Sequence, residues 1–446
     1  MTHVAIVGAG ITGVTTADAL LERGYHVTVF DRHRYPAMET SFANGGQLSA
    51  SNAEVWNSAS TVLKGLRWML RSNAPLLMNP SPSWHKYSWM AEFVRSIPNY
   101  RDNTIATTRM AIEARKQLFA IAEREDIAFD LERRGILHIY HDKPGFDAGL
   151  RVNALLQEGG LERFAVTSDE VRNIEPALRG NYYGGLFTPS DSTGDIHKFT
   201  RGLAAACARR GARFIHDAEV IGIDPSGAGY DVRWSPASTD GDASPALADQ
   251  HALPFDAVMI CAGTASRRLA AMLGDHVNVY PVKGYSITVH LKSSESREAT
   301  PKVSLLDESA KIVTSRLGQD RFRVAGTAEF NGFNRDIRAD RIKPLVDWTR
   351  RNFQAIDTSN TVPWSGLRPM MPNMMPFVRA GRRPGIFYNT GHGHLGWTLS
   401  AATAQMVADI VDSAGISGNR TANPGLPPPN NLGAIIESRR NVRAEA

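Results

Sequence analysis

Val4-Ala5-Ile6-Val7-Gly8-Ala9-Gly10-Ile11-Thr12-Gly13 decides the fold of this 446-residue chain. The first four residues are an apolar, β-branched run of the kind that forms a buried parallel strand. Gly8 and Gly10 then turn the chain sharply. A helical stripe of Val14, Ala17, Leu20 and Leu21 follows and stops at Gly24. Val27-Thr28-Val29-Phe30 is a second strand, with Asp31 at its end. Strand, glycine turn, helix, strand and acid in that order make a mononucleotide-binding βαβ unit.

Each part of the unit has a physical task. Gly8 permits the tight turn, and Gly13 lets the helix pack close to the sheet. A Cβ on Gly10 would collide with an approaching pyrophosphate. Ala9, Ile11 and Thr12 complete the turn, and the phosphates then face a helix N-terminus whose free N–H groups and dipole favour anions. Asp31, with Arg32 beside it, is placed to accept hydrogen bonds from ribose hydroxyls. The competing reading is a glycine-rich turn in an ordinary α/β fold.

Composition excludes several classes. A net charge of +5 spread over this length, with no dense basic run, argues against nucleic acid. Cys207 and Cys261 are the only cysteines, too few and too distant for a disulfide framework or a metal cluster. They fit a reducing compartment, and no metal site is expected. The first strand begins at Val4, which leaves no room for a signal peptide, and no apolar run is long enough to span a bilayer. The expectation is a cytoplasmic protein.

Residues 36–52 are small, polar and glycine-bearing, either a loop laid against a planar ligand or a mobile surface loop. Residues 53–110 then carry Trp56, Trp68, Trp84 and Trp89 among leucines, methionines and interleaved basic residues. Residues 60–71 read as an amphipathic helix, and 60–78 as either a peripheral membrane contact or a core or domain interface. Residues 104–125 form a long, charge-balanced helix expected to face solvent. Ser192-Thr193-Gly194-Asp195 can cap a helix whose buried stripe is Ile196, Phe199, Leu203, Ala206 and Cys207. Ala218 to Ile223 is a strand in which Val220 can meet an adenine. Residues 235–254 read as a surface excursion. Asp256 to Ser266 is a buried strand turning through Ala262 and Gly263 into a helix. Residues 279–326 alternate as antiparallel strands, a platform over the ligand.

A second glycine loop lies near the C-terminus: Thr390-Gly391-His392-Gly393-His394-Leu395-Gly396-Trp397-Thr398. It feeds a helix with Leu399, Ala402, Met406 and Ile410 expected inward. Two such loops at opposite ends of the chain favour FAD over NAD: one serves the pyrophosphate, the other the bulky ring. The positive end of the helix after Gly396 can stabilise an anionic reduced flavin.

The chain resembles the FAD-dependent amino-acid oxidoreductases of the D-amino-acid oxidase, glycine oxidase and sarcosine oxidase group. Within it the chain is most similar to the bacterial D-amino-acid dehydrogenases. Four segments carry the resemblance: Glu39-Thr40-Ser41-Phe42-Ala43-Asn44-Gly45-Gly46-Gln47, Tyr280-Pro281-Val282-Lys283-Gly284-Tyr285-Ser286, Gly366-Leu367-Arg368-Pro369, and the Thr390–Thr398 loop. Fold and domains follow as expectations. The fold class is α/β, with a discontinuous Rossmann-type FAD-binding domain (1–52, 184–275 and 364–414). An α+β substrate domain on an antiparallel sheet takes 53–183 and 276–363, and 415–446 is a disordered tail.

The resemblance implies that Arg368 holds a substrate carboxylate bidentately, the alternative being a salt bridge. Tyr285 either donates a second hydrogen bond to substrate or is a core tyrosine. His394 stands where the D-amino-acid dehydrogenases often place a smaller residue; flavin contact, substrate contact or neither remain open. His392 orders the loop backbone. The expected cofactor contacts also include Thr40, Ser41, Asn44, Gly45, Gly46, Gln47 and Leu48 in the first loop, and Gly391, Gly393, Leu395, Gly396, Trp397 and Thr398 in the second. Ala43 stands where related enzymes carry an attachment histidine, so FAD is expected to be non-covalent.

The implied reaction is hydride transfer from a D-amino acid to flavin, giving an imino acid that water hydrolyses to a 2-oxo acid and ammonia. A quinone or another carrier is expected to take the electrons. Open alternatives are an imino-acid dehydrogenase of the D-proline or D-hydroxyproline type, a glycine or sarcosine oxidase, and a non-catalytic FAD-binding subunit.

Overall fold

In the computed structural model the strand His3–Val7 has parallel neighbours on both sides, Val4 pairing with Val27 and with Ala257. The structure describes residues 1–68, 76–237 and 250–416. A six-stranded sheet runs in the order Phe377–Ala380, Ile386–Thr390, Ala257–Ile260, His3–Val7, His26–Phe30, Arg213–Ile215. All its pairings are parallel except the first. Val4, Ala5 and Ile6 have no exposed surface, because helices cover one face of this sheet and a small sheet and a helix cover the other. On the first face lie Ile11–Glu22, Ile196–Arg209, Gly396–Ser413 and part of Tyr100–Arg124. On the second lie the helix Ser266–Met272 and the antiparallel strands Ala218–Ser226, Gly229–Pro236 and His251–Phe255.

The platform is a nine-stranded sheet, led by Thr361–Met370, Tyr280–His290 and Arg321–Phe330. It is mostly antiparallel, but Ser304–Asp307 runs parallel to Ile136–Tyr140, and Leu76–Met78 parallel to Arg321–Phe330. The helix Ala339–Asn352 packs Leu345 and Trp348 on one face of it.

Several expectations need correction. Residues 184–188 and 364–370 were grouped with the nucleotide domain, yet both are platform strands. The helix Tyr100–Arg124 is not solvent-facing: Thr104, Thr108, Ala111, Ala114 and Leu118 bury one side of it. More than half of its buried face is threonine and alanine, which a hydrophobic stripe search passes over. Met406 is exposed on the last helix, whose buried side is Ala404, Val407, Ala408 and Val411. The 235–254 excursion contains the ends of two paired strands, with Trp234 opposite His251. Residues 238–249 within it, 69–75 of the 60–78 segment and 417–446 of the tail lie outside the described residues. Among the described residues no helix is long and apolar enough to cross a membrane.

Candidate active site

A cavity of about 1460 Å³ opens at the carboxyl ends of the parallel strands. This is where open α/β sheets bind ligands, because successive loops diverge there. Gly8 follows the first strand, Asp31 the second, Ala262 and Gly263 the strand Ala257–Ile260, and Gly391 the strand Ile386–Thr390. All of these line the cavity.

The glycine turn is fixed by close contacts. Gly8 sits at φ +109°, and a Cβ there would lie 2.6 Å from the Cys261 carbonyl oxygen. A Cβ on Gly13 would lie 1.8 Å from the Gly8 carbonyl oxygen. Gly10 differs: the nearest atom its Cβ would meet is Ser41 Oγ, at 3.6 Å. No protein contact demands glycine there, which fits a position kept open for a ligand. Asp31 is held rigidly, one oxygen accepting from the Ala9 N–H at 2.6 Å and the other from the His33 N–H at 2.9 Å. Val220 and Arg32 share its wall. Arg32 also pairs with Glu39, which takes Arg335 as well. Burial would raise the Glu39 carboxyl, but its bonds to His33 and Arg335 and the charge of Arg32 hold it well below the usual range.

The loop of residues 36–52 is stapled between the two sheets. Thr40 donates to the Leu367 carbonyl at 2.8 Å, and Ser286 to that of Ala43 at 2.9 Å. Arg323 donates to the Asn44 carbonyl at 3.0 Å, and Ser315 to that of Gly45 at 2.6 Å. Ser41 accepts from the Ile11 N–H at the start of the first helix. Asn44, Gly45, Gly46 and Gln47 line the cavity; Ala9, Gly13 and Leu48 do not, and serve it through the backbone and the core behind it. The helix Gly396–Ser413 begins without a side-chain cap, and Gly396, Trp397 and Thr398 of its first turn line the cavity. His392 is buried, bonds Thr403 at 2.9 Å, and is pushed down to about 3 by burial.

Arg368 lies on the strand Thr361–Met370, opposite Val282. Its guanidinium crosses Gly284, where a Cβ would sit 2.4 Å from Cζ. Among the described residues it has no carboxylate partner, and burial pushes it down to about 10, still charged at neutral pH. Tyr285 also lines the cavity, but its hydroxyl donates to Glu329 at 2.6 Å and its ring packs with Ile287 and Val289 in the platform core. Glu329 is also paired with Lys283 and Arg338. Of the two readings of Tyr285, these contacts favour the core tyrosine, its hydroxyl being spent on Glu329.

His394 is half-buried and stacks on Trp56, with ring centroids 4.7 Å apart. Its Nε2 lies 3.2 Å from the Asn52 carbonyl oxygen. Burial pulls it to about 4, and the charge of Arg368 adds to the shift.

Sequence reasoning missed Trp56, Tyr100, His138, Tyr140, Arg163, Glu308 and Lys311, which line the same cavity. Apart from His138 and Tyr140, which share the strand Ile136–Tyr140, they are scattered along the chain. His138 bonds Glu308 at 2.9 Å and Ser51 at 3.2 Å. No spacing in the chain signals that meeting. Asp191 was also missed. It is buried, pairs with Arg115, and accepts from the Ala50 and Ser51 N–H groups. That clamp fixes the turn leading to Asn52.

A nucleotide cradle and a cation without an acid partner among the described residues share one cavity. The family of FAD dependent oxidoreductases designated DAO matches residues 3–410, and the chain belongs to it. It is 64% identical over 411 residues to D-amino acid dehydrogenase 3 of Mesorhizobium japonicum, covering 92% of this chain and 97% of the relative. It is 37% identical over 420 residues to a D-amino acid dehydrogenase of Paramagnetospirillum magneticum, covering 92% and 94%. Among solved structures, glycine oxidase from Bacillus cereus superposes with a TM-score of 0.69 at 20% identity, over 93% of this chain and 95% of that one. L-proline dehydrogenase from P. horikoshii gives 0.69 at 15%, over 94% of each. These last two likenesses show the fold. The residues present fit FAD: the open side of Gly10 and the uncapped helix end both belong to the cavity wall.

Proposed function

We propose that the chain is an FAD-dependent D-amino acid dehydrogenase, oxidising a D-amino acid to an imino acid that water hydrolyses to a 2-oxo acid and ammonia. The observation that carries this reading is Arg368, a guanidinium that among the described residues has no acid partner, in the wall of the dinucleotide cavity. A buried unpaired charge is costly, so a site keeps one where a ligand of opposite sign will meet it. FAD bound there supplies the two-electron acceptor. Arg368 holds the carboxylate and so fixes the α-hydrogen's direction. A substrate amine that arrives neutral needs no strong side-chain base. The names of the 64% and 37% identical relatives support the D-amino acid class.

The finer points belong to the same reading. The FAD is non-covalent, since Ala43 offers no attachment atom. The electrons pass to a quinone or another carrier. Leu63 is exposed on the 60–78 segment read as a membrane contact, and Trp84, Tyr87 and Val94 are exposed on the helix Trp84–Arg95 that follows it, which supports a peripheral docking face. Arg368, His394 and the two loops are the site residues.

Anaerobic flavin bleaching across paired D- and L-amino acids tests the reading. D-enantiomers should bleach it and L-enantiomers should not; bleaching by no amino acid would point to a non-catalytic subunit. Acid denaturation should release free FAD into the supernatant. Flavin remaining on the precipitated polypeptide would contradict non-covalent binding. Rapid peroxide formation in air would favour an oxidase.

A further inference from the structure

We propose that the stacked Trp56–His394 pair is an uncharged aromatic wall that receives the substrate's side chain and limits its bulk. The inference deepens the reading of Arg368 as carboxylate anchor and rests on it. His394 belongs to the turn Gly393–Leu395, which packs against the strand carrying Arg368, and Met370 of that strand bridges to His392. Arg368, His394 and Trp56 all line the cavity. A carboxylate held by Arg368 therefore places the α-carbon's substituents close to the His394 ring.

The wall's chemistry follows from its contacts. A carbonyl oxygen only accepts, so the bond to Asn52 puts the proton on Nε2 of His394. Nδ1 is then an acceptor, and it is buried without a partner among the described residues. With almost no exposed surface, Nδ1 does not open on the cavity and offers a substrate no hydrogen bond. Here one nitrogen fixes the ring and the flat face stacks on Trp56. Arg368 nearby disfavours a second positive charge on the ring. The ring is thus neutral and held for its shape. Its backbone support is rigid, because Asp191 clamps Ala50 and Ser51 just before Asn52.

The test compares D-alanine with D-phenylalanine by anaerobic flavin reduction in wild type, His394→Ala and Trp56→Ala, with FAD content read by absorbance. Wild type should favour D-alanine. His394→Ala should raise the D-phenylalanine to D-alanine ratio of kcat/KM by about tenfold or more, the scale on which a pocket discriminates by size. Trp56→Ala should move the ratio the same way. Should His394→Ala lose its FAD, Trp56→Leu carries the same comparison. Ratios within about twofold of wild type in FAD-loaded variants, with D-alanine still reducing the wild type, overturn the wall alone. Wild type reduced by no D-amino acid overturns the activity reading, and the wall with it.

Discussion

At the scale of single residues, Arg368 is where structure and function pull in opposite directions. Its guanidinium is charged, partly buried and, among the described residues, without an acid partner, so it weakens the fold it sits in. Arg368→Met should raise the melting temperature of the substrate-free protein while activity falls. Arg368→Ala should lower kcat/KM by on the order of 30- to 1000-fold, since a charged bidentate pair is worth about 2–4 kcal/mol. FAD content should stay near wild type, because the nucleotide contacts lie elsewhere. Arg368→Lys keeps the charge but not the planar fork and should recover part of the loss. Gly284→Ala offers an independent check. Its Cβ would fall 2.4 Å from Arg368 Cζ, and a flexible side chain can swing away. It should therefore mimic Arg368→Ala in kcat/KM with little change in melting temperature. Normal activity in both variants would make Arg368 structural.

At the scale of the element, the strand–turn–helix unit separates glycines needed by the fold from those needed by the ligand. Gly13→Ala drives a methyl into the Gly8 carbonyl and should destabilise the protein with or without cofactor. Gly10→Ala meets no protein atom closer than 3.6 Å, so the apoprotein should melt near the wild-type temperature while FAD affinity falls. Thermal melts of apoprotein and flavin titration distinguish the two. Equal loss of apoprotein stability in both variants would refute the distinction. This unit was legible in the sequence because its determinants are local: strand, turn, helix and acid lie within thirty-one residues. The helix Tyr100–Arg124 was misread for the complementary reason. Its threonine and alanine face acquires meaning only from the helices packed against it.

At the scale of the whole molecule, burial of neutral histidines sets the response to acid. His138 and His392 are almost fully buried and are drawn from 6.5 to about 4 and about 3. Burial is the main cause for both, and Arg163 adds to it for His138. Below pH 6.5 the unfolded chain takes up protons that the folded chain refuses, so stability falls as pH falls. Each group costs up to about 1.4 kcal/mol per pH unit until its folded pKa is reached. Melting temperature should therefore drop steadily between pH 6.5 and 4. His392→Asn should flatten that slope; an unchanged slope would exclude His392 as a contributor.

The candidate anchor at Arg368 entered through the family resemblance; the sequence by itself determined the nucleotide unit, the two glycine loops and the positions of several strands. Those features are encoded in contiguous runs whose periodicity or turn chemistry acts over a few residues. Tertiary structure alone decided which sheet owns residues 184–188 and 364–370, because a strand's pattern does not name its partner. It also decided that the Tyr285 hydroxyl bonds Glu329 across a strand pair. The stack of Trp56 on His394 and the Asp191 clamp join residues far apart in the chain, and only packing brings them together. Their chemistry depends on distance, burial and the neighbour's charge, which no local stretch of sequence specifies.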